Sequence, residues 1–212
     1  MMLQQIISYF QANTAFFIQR TGEHITISLI ALAVAVILGV SAGYICVRYE
    51  KLQDFIVPLF QTLRIVPSLA VLFLLIPFIG VGIFPAMIAL VLLAIPPILI
   101  NTAAGLREVP AFMLETAVGC GMTERQVWYK VRLPLAMPMV FSGVQTALVE
   151  IIASATLAAK IGAGGLGEII FTGLSLNRTD LLLIGGLSVA ILSISARLVL
   201  GLLHRLILPY KH

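Results

Sequence analysis

Charge is what this chain has least of. Asp, Glu, Lys and Arg make up 10% of its 212 residues, against about 25% in soluble globular domains, so a solvated surface of the usual kind cannot be built from it. The net charge of +4 is spread too thinly for a nucleic-acid surface, and nucleic acid is not an expected partner. The two cysteines, Cys46 and Cys120, exclude a disulfide framework or a zinc site by number and spacing and are expected to be inert thiols. His24 and His204 have no companion ligands at metal spacing and are read as residues of the membrane interface. No Gly-x4-Gly-Lys-Ser/Thr loop occurs, so any ATP-driven work by that chemistry must draw on a separate subunit. No Ser/His, Asp/Asp or His-Glu-x-x-His constellation falls inside the apolar runs, which disfavours an intramembrane enzyme. A channel would need a repeated filter element or ring-forming charges, and neither is present. No metal or cofactor is expected.

What is abundant is apolar surface. Hydrophobic residues are 60% of the chain and the mean hydropathy is +1.11, values of an all-α polytopic membrane protein read as a single domain over residues 1–212. Ile25 to Val47 is uncharged and long enough to cross ~30 Å of hydrocarbon at 1.5 Å per residue. In it Ala31, Ala35, Gly39 and Gly43 recur at every fourth position, a stripe that lets another helix approach closely. No charge occurs between Arg64 and Arg107, too long for one crossing, and Pro77, Gly80, Gly82 and Pro85 place a turn that divides it into helices at about 57–78 and 84–104. Further crossings are expected at about 135–158 and 181–203. Residues 1–22 carry Ile6, Ile7, Phe10 and Phe17 near helical spacing among Gln and Asn, the pattern of a segment lying on the bilayer. No signal peptide is read there, because the first basic residue is Arg20.

Five crossings put the termini on opposite sides. Arg48, Lys51, Arg64, Arg107, Arg125, Lys130, Arg132, Arg205 and Lys211 then share one side, against Arg20, Lys160 and Arg178 on the other. The basic-rich side is cytoplasmic by the positive-inside rule, so the N-terminus is expected outside and the C-terminus and the 106–134 loop inside. Arg197 falls within the last crossing, near enough to its inner end to snorkel. No internal repeat argues for the inverted halves of secondary transporters.

The 106–134 loop is the one polar island in this chain, and it reads as a helix–Gly–helix hairpin. Pro110 suits the first turn of its first helix, and Gly121 suits the left-handed position that ends it. Thr123 and Gln126 form a capping-box pattern for the second, and Leu133-Pro134 is expected to close that helix. The order Glu115-Thr116-Ala117-x3-Gly121-x9-Val131-x-Leu133-Pro134 resembles the EAA loop of ABC-importer permeases, with Thr116 where the middle Ala is usual and Val131 where Ile is. Residues 155–167, from Ala155 to Gly167, and Phe171-Thr172-Gly173-Leu174 resemble the quaternary-amine osmoprotectant branch of that family, Lys160 being a departure from its apolar or aromatic residue.

The resemblance implies a type I importer permease, one of two membrane subunits (identical or paralogous), served by cytoplasmic ABC ATPase subunits and an extracellular or periplasmic substrate-binding protein. It implies a compatible solute such as glycine betaine, carnitine or choline, with an amino acid or betaine-like compound as the alternative. It also assigns ATPase coupling to Glu115, Ala117, Gly121, Leu133 and Pro134. Arg125 is added as a charged contact on chemical grounds.

Gly162-x-Gly164-x-x-Gly167 matches a dinucleotide-binding glycine pattern, but the segment before it is a membrane helix and no βαβ unit follows, so a tight turn into a short helix is the reading. Glu150 and Arg64 sit in apolar surroundings where an unpaired charge costs ~2.5–3.5 kcal/mol. Arg64 either marks the inner interface or lines a substrate pathway. Glu150 either makes a polar contact between helices or faces hydrated space and attracts a cation. Ser68 and Asn101 are weaker candidates on the same grounds. Trp128 and Tyr129 lie in the cytoplasmic loop and are read as interfacial or partner contacts rather than a cation cage.

Overall fold

The computed structural model describes residues 2–207; Lys211, counted above among the cytoplasmic basic residues, lies outside them. The described residues are almost entirely helical: α1 Met2–Arg48, α2 Glu50–Leu63, α3 Ser68–Ile79, α4 Ile83–Arg107, α5 Ala111–Gly119, α6 Glu124–Val127, α7 Leu133–Ala158, α8 Leu166–Ser175 and α9 Thr179–Ile207. Four stretches are long and apolar enough to cross a membrane: those of α1, α4, α7 with the turns leading into it, and α9. The bent pair α2–α3 makes a fifth, broken crossing.

The core forms where α1, α4 and α7 meet. Ile27, Ala31 and Ala35 of α1 pack with Leu90, Ala94 and Ile98 of α4 and with Ala147 and Ile151 of α7. Lipid supplies no hydrophobic drive between helices, so close backbone approach must hold them, and the small residues provide it. A Cβ built on Gly39 would lie 2.8 Å from the Ile98 side chain, and one on Gly43 2.7 Å from Thr102. The same device joins α4 to α7, where a Cβ on Gly143 would lie 2.7 Å from the Pro97 carbonyl oxygen. The small-residue stripe read from the sequence is therefore the α1–α4 seam.

The expected second crossing at 57–78 is not one helix. It breaks at residues 64–67 and α3 leaves α2 at 98°. Pro67, with ψ 133°, stands just before α3 and has no N–H to continue the α2 ladder, and Val66 before it is biased away from helix. The turn read from Pro77, Gly80, Gly82 and Pro85 stands between α3 and α4, and Pro67 adds a second break inside the expected crossing.

Within the segment expected at 1–22, residues 2–22 are the first turns of α1, with a kink at Asn13. Their apolar side chains Ile6, Phe10 and Phe17 pack on Leu166 and Ile169 of α8 and Leu181 and Ile184 of α9. At that end Arg20 ties the two segments together: it donates to Glu23 at 2.7 Å and to Glu168 at 3.2 Å. Glu23 in turn accepts the Gly165 N–H at 3.1 Å, just before α8. His24 is not at an interface. It is buried, 1% exposed, with Nε2 3.1 Å from the Ile152 carbonyl of α7; the carbonyl only accepts, so Nε2 carries the proton.

The packing makes a prediction that separates the two kinds of glycine in this chain. Gly43→Ala overpacks the seam at a cost of about 1–3 kcal/mol, whereas Gly186→Ala in α9 meets nothing within 4 Å and gains helix propensity of up to ~1 kcal/mol. Thermal unfolding of the detergent-purified protein is expected to show a lowered midpoint for the first and an unchanged or raised one for the second; the reverse order would contradict the packing.

Candidate functional site

Two places gather the polar residues. The first is the hairpin between α4 and α7. Pro110 stands immediately before α5, one position outside the expected first turn. α5 then ends as a Schellman motif: Gly121 takes φ +80°, its N–H donates to the Val118 carbonyl at 2.9 Å, and the Met122 N–H donates to Ala117 at 3.1 Å. The capping box is present in full, with the Thr123 N–H donating to Gln126 Oε1 at 2.9 Å and the Gln126 N–H to Thr123 Oγ1 at 3.4 Å.

Leu133-Pro134 does not close the hairpin's second helix. The chain passes from α6 through a π-helical turn, Trp128–Arg132, directly into α7. The Leu133 N–H reaches five residues back to the Trp128 carbonyl. Pro134 has no N–H for Lys130, and the wider turn accommodates that missing bond. The hairpin's return arm and α7 are thus one continuous rod.

Two contacts unforeseen in the sequence fix the hairpin to the bundle. Arg132 Nε donates to the Leu106 carbonyl at 3.2 Å, satisfying one of the carbonyls that the end of α4 leaves open. Trp128 packs edge-on to Tyr44 of α1 at 5.0 Å between ring centroids, with the Arg132 guanidinium over its other side at 5.8 Å. Arg125 lines a groove of about 750 Å³ between the hairpin and the end of α1, together with Arg48, Tyr44 and Trp128. Ala117 is buried, Leu133 and Pro134 are half-buried, and Glu115 is exposed. Beside Glu115, Phe112 and Val118 are 63% and 60% exposed, an apolar face on the most polar loop of the chain.

The second place is a cleft at the α2–α3 elbow. Arg64 Nη2 donates to Glu150 Oε1 of α7 at 2.9 Å, so the two charges that each needed a partner supply one another across 86 residues of sequence. Both line a cavity of about 320 Å³, with Ser68 at the start of α3 and with Leu93 and Ser154. Glu150 lies ~26 Å along α7 from Leu133, so Arg64, read either as an interface marker or as a cleft-lining residue, stands well away from the hairpin end of the bundle. Asn101 is not part of this cleft; its Nδ2 donates to the Pro97 carbonyl at 2.8 Å and its Cβ faces Gly143 at the α4–α7 seam. The glycine turn at 162–167 is far simpler than a nucleotide site. Gly162, Gly164 and Gly165 take positive φ, and a Cβ on Gly167 would lie 2.0 Å from the Thr156 carbonyl oxygen, so α8 is seated directly on the α7 backbone.

Above the cleft's ion pair and below it, α7 exposes Ser142, Thr146 and Ala153, in one file with Glu150. α9 exposes Leu187, Ile191, Ile194 and Leu198, each about 60% accessible. One outward face is polar and the other is suited to lipid.

A hydrophobic bundle with a rigidly mounted loop at one end and a charged cleft within it is a transport architecture, and the comparisons identify which. Residues 7–209 match the family described as the binding-protein-dependent transport system inner membrane component. The chain belongs to that family. The permease is 40% identical over 207 residues to the carnitine transport permease protein OpuCB of Listeria monocytogenes, covering 98% of this chain and 95% of that one. It is 39% identical, with the same coverage, to the choline transport system permease protein OpuBB of Bacillus subtilis. A further relative is the ergothioneine transport permease/ergothioneine binding protein EgtU of Helicobacter pylori, 38% identical over 79% of this chain and 30% of that longer protein.

Among solved structures, an inward-facing MetNI methionine ABC transporter aligns with TM-score 0.74 at 20% identity, covering 91% of this chain and 94% of that chain. An amino acid ABC transporter with histidines aligns with TM-score 0.77 at 17% identity, covering 94% and 97%. The fold is that of an ABC-importer permease, and the permease is a multi-pass membrane component of a transport system rather than an enzyme. Membership implies ATPase and substrate-binding partners.

Replacing Arg132 by Leu removes the charged donor from the Leu106 carbonyl, a loss of about 1.5 kcal/mol. Amide hydrogen exchange across residues 111–131 is expected to quicken in Arg132→Leu while the second half of α7 keeps its protection. Unchanged hairpin exchange would mean that this contact does not hold the loop.

Proposed function

We propose that this permease takes up quaternary-amine osmoprotectants, glycine betaine, carnitine or choline, as the membrane subunit of an importer powered by ATP hydrolysis on partner subunits. Relatives named for carnitine and choline transport that align along nearly the whole chain support this reading. The ergothioneine relative favours a second one, import of another betaine-like compound.

In this proposal the N-terminus is outside and the hairpin is cytoplasmic. The asymmetry of basic residues supports it, eight on the inner side once Arg64 is moved into the cleft, against three outside. A binding protein delivers solute from outside to a pair of permeases, identical or paralogous. On the inner side each hairpin seats in a groove of an ATPase, and closure of the ATPases on ATP rocks the bundles to the outward-facing arrangement.

The observation that carries the coupling role is the exposed Phe112, Glu115 and Val118 on a loop clamped to three helices. An apolar face on a cytoplasmic loop suits a protein partner, and its rigid mounting would transmit displacement to α1, α4 and α7. Glu115 and the apolar pair would contact the ATPase. Ala117 and Gly121 would shape the turn, and Leu133 and Pro134 would join it to α7. Arg125 would border the contact from the groove.

Gly121 gives the test. Its φ of +80° disfavours a β-branched residue by ~1 kcal/mol or more, while Asn tolerates that region, and the space around it is open. Gly121→Val is expected to reach the membrane at normal levels yet lose solute-dependent ATP hydrolysis in the assembled importer, with Gly121→Asn retaining most of it. Normal coupling in the Val variant would remove the hairpin from the mechanism.

A further inference from the structure

We propose that the Arg64–Glu150 pair is an exchange point for zwitterions: a solute bearing both a fixed cation and a carboxylate parts the two side chains, presenting its cation to Glu150 and its carboxylate to Arg64. This rests on the importer reading above and narrows it, to inner salts of the betaine or carnitine kind over cations such as choline that lack a carboxylate.

The electrostatic balance of the cleft is the first ground. Its lining holds one positive and one negative side chain, the remainder being apolar residues and the hydroxyls of Ser68 and Ser154. A lone cation that took Glu150 would leave Arg64 without its counter-charge, and a lone anion would do the same to Glu150. A zwitterion satisfies both at once and leaves the net charge of the cleft at zero.

The pair is also built to be opened. It is joined by a single hydrogen bond, Nη2 to Oε1, rather than a bidentate fork, which leaves the second carboxylate oxygen and the other guanidinium N–H groups available for further hydrogen bonds. The Arg64 and Glu150 side chains are 41% and 35% exposed, so a solute reaches them without first unpacking the core. The cavity of about 320 Å³ is of small-molecule size.

Location then links occupancy to shape. Arg64 directly follows α2, at the elbow where α3 departs at 98°, and Glu150 belongs to the rod that continues down to the hairpin. Parting the two side chains releases the elbow from that rod. No aromatic ring lines the cleft, so the cation is held by the carboxylate alone, without a cation–π cage. That suits a point of passage rather than a storage site.

The test compares initial uptake of glycine betaine and of choline by the complete importer in intact cells, for the wild type, Arg64→Gln, Glu150→Gln and the double neutral variant. Two glutamines preserve a hydrogen bond between the elbow and α7 while removing both charges, so a merely structural tie survives in the double variant. Complex assembly and solute-free ATP hydrolysis are measured alongside. The wild type is expected to prefer betaine.

Arg64→Gln should lower the maximal rate for betaine about tenfold while choline changes by less than about twofold, and Glu150→Gln should lower both solutes. The double variant should assemble to the wild-type level yet lose betaine uptake about tenfold. Wild-type betaine uptake in the double variant, equal losses of the two solutes in Arg64→Gln, or a wild type that prefers choline would each overturn the exchange. A wild type that imports neither solute would instead overturn the functional reading itself, and the exchange with it.

Discussion

A charge inside an apolar bundle must be paired or hydrated, and Arg64 and Glu150 meet that constraint in one another. The break that Pro67 sets in the second crossing lets the pair form. A straight helix through 57–78 would carry Arg64 past α7 with its neighbours in regular apolar packing, whereas the stop at residues 64–67 holds the guanidinium against Glu150 and turns α3 aside at 98°. The elbow also opens the cleft, because a right-angled bend cannot pack along α7 over its full length. Charge pairing, backbone break and cavity are three aspects of one arrangement.

Around that point the remainder of the bundle is held by close approach of small residues. Gly39 and Gly43 bring α1 onto α4, Gly143 brings α7 onto α4, and Gly167 brings α8 onto α7. These seams make α1, α4 and α7 a unit whose lower end carries the hairpin, through the π turn, the Arg132 contact with α4 and the Trp128 contact with α1. A displacement applied to the hairpin is therefore applied to the helix that bears Glu150. The fold of solved ABC-importer permeases, shared at TM-scores of 0.74 to 0.77, is one in which such a connection would have a use.

What could be read from the sequence is what short-range physics determines. The uncharged runs gave the crossings, fourfold spacing gave the α1–α4 seam, and the hairpin was legible down to its capping box and the left-handed Gly121, because each of those features is settled within a few residues. Contacts between distant segments were not legible. Arg64 and Glu150 were each seen to need a partner, but nothing local says that they are partners of one another. His24 was read as interfacial from its place near the end of an uncharged run, and it is buried because Ile152 offers it a carbonyl. Asn101 drew attention as a polar residue in an apolar run, and its amide turns back to its own helix. Two local signals do bear on the long-range geometry. Pro67 marks the elbow, and Leu133-Pro134 within a basic, aromatic stretch marks a change of helical register rather than an end.

The polar file on α7 is placed to face water-filled space, and the apolar file on α9 to face lipid. Single cysteines at Ser142, Thr146 and Ala153 on α7, and at Leu187, Ile191 and Ile194 on α9, measure it directly in the assembled importer when Cys120, the exposed native thiol, is replaced by Ser. A small hydrophilic thiol reagent requires water to form the reactive thiolate, so the account predicts modification at the three α7 positions, slowed by saturating solute at Ala153 beside the ion pair, and none at the α9 positions. Unreactive α7 cysteines, or equal reaction on both helices, would contradict it.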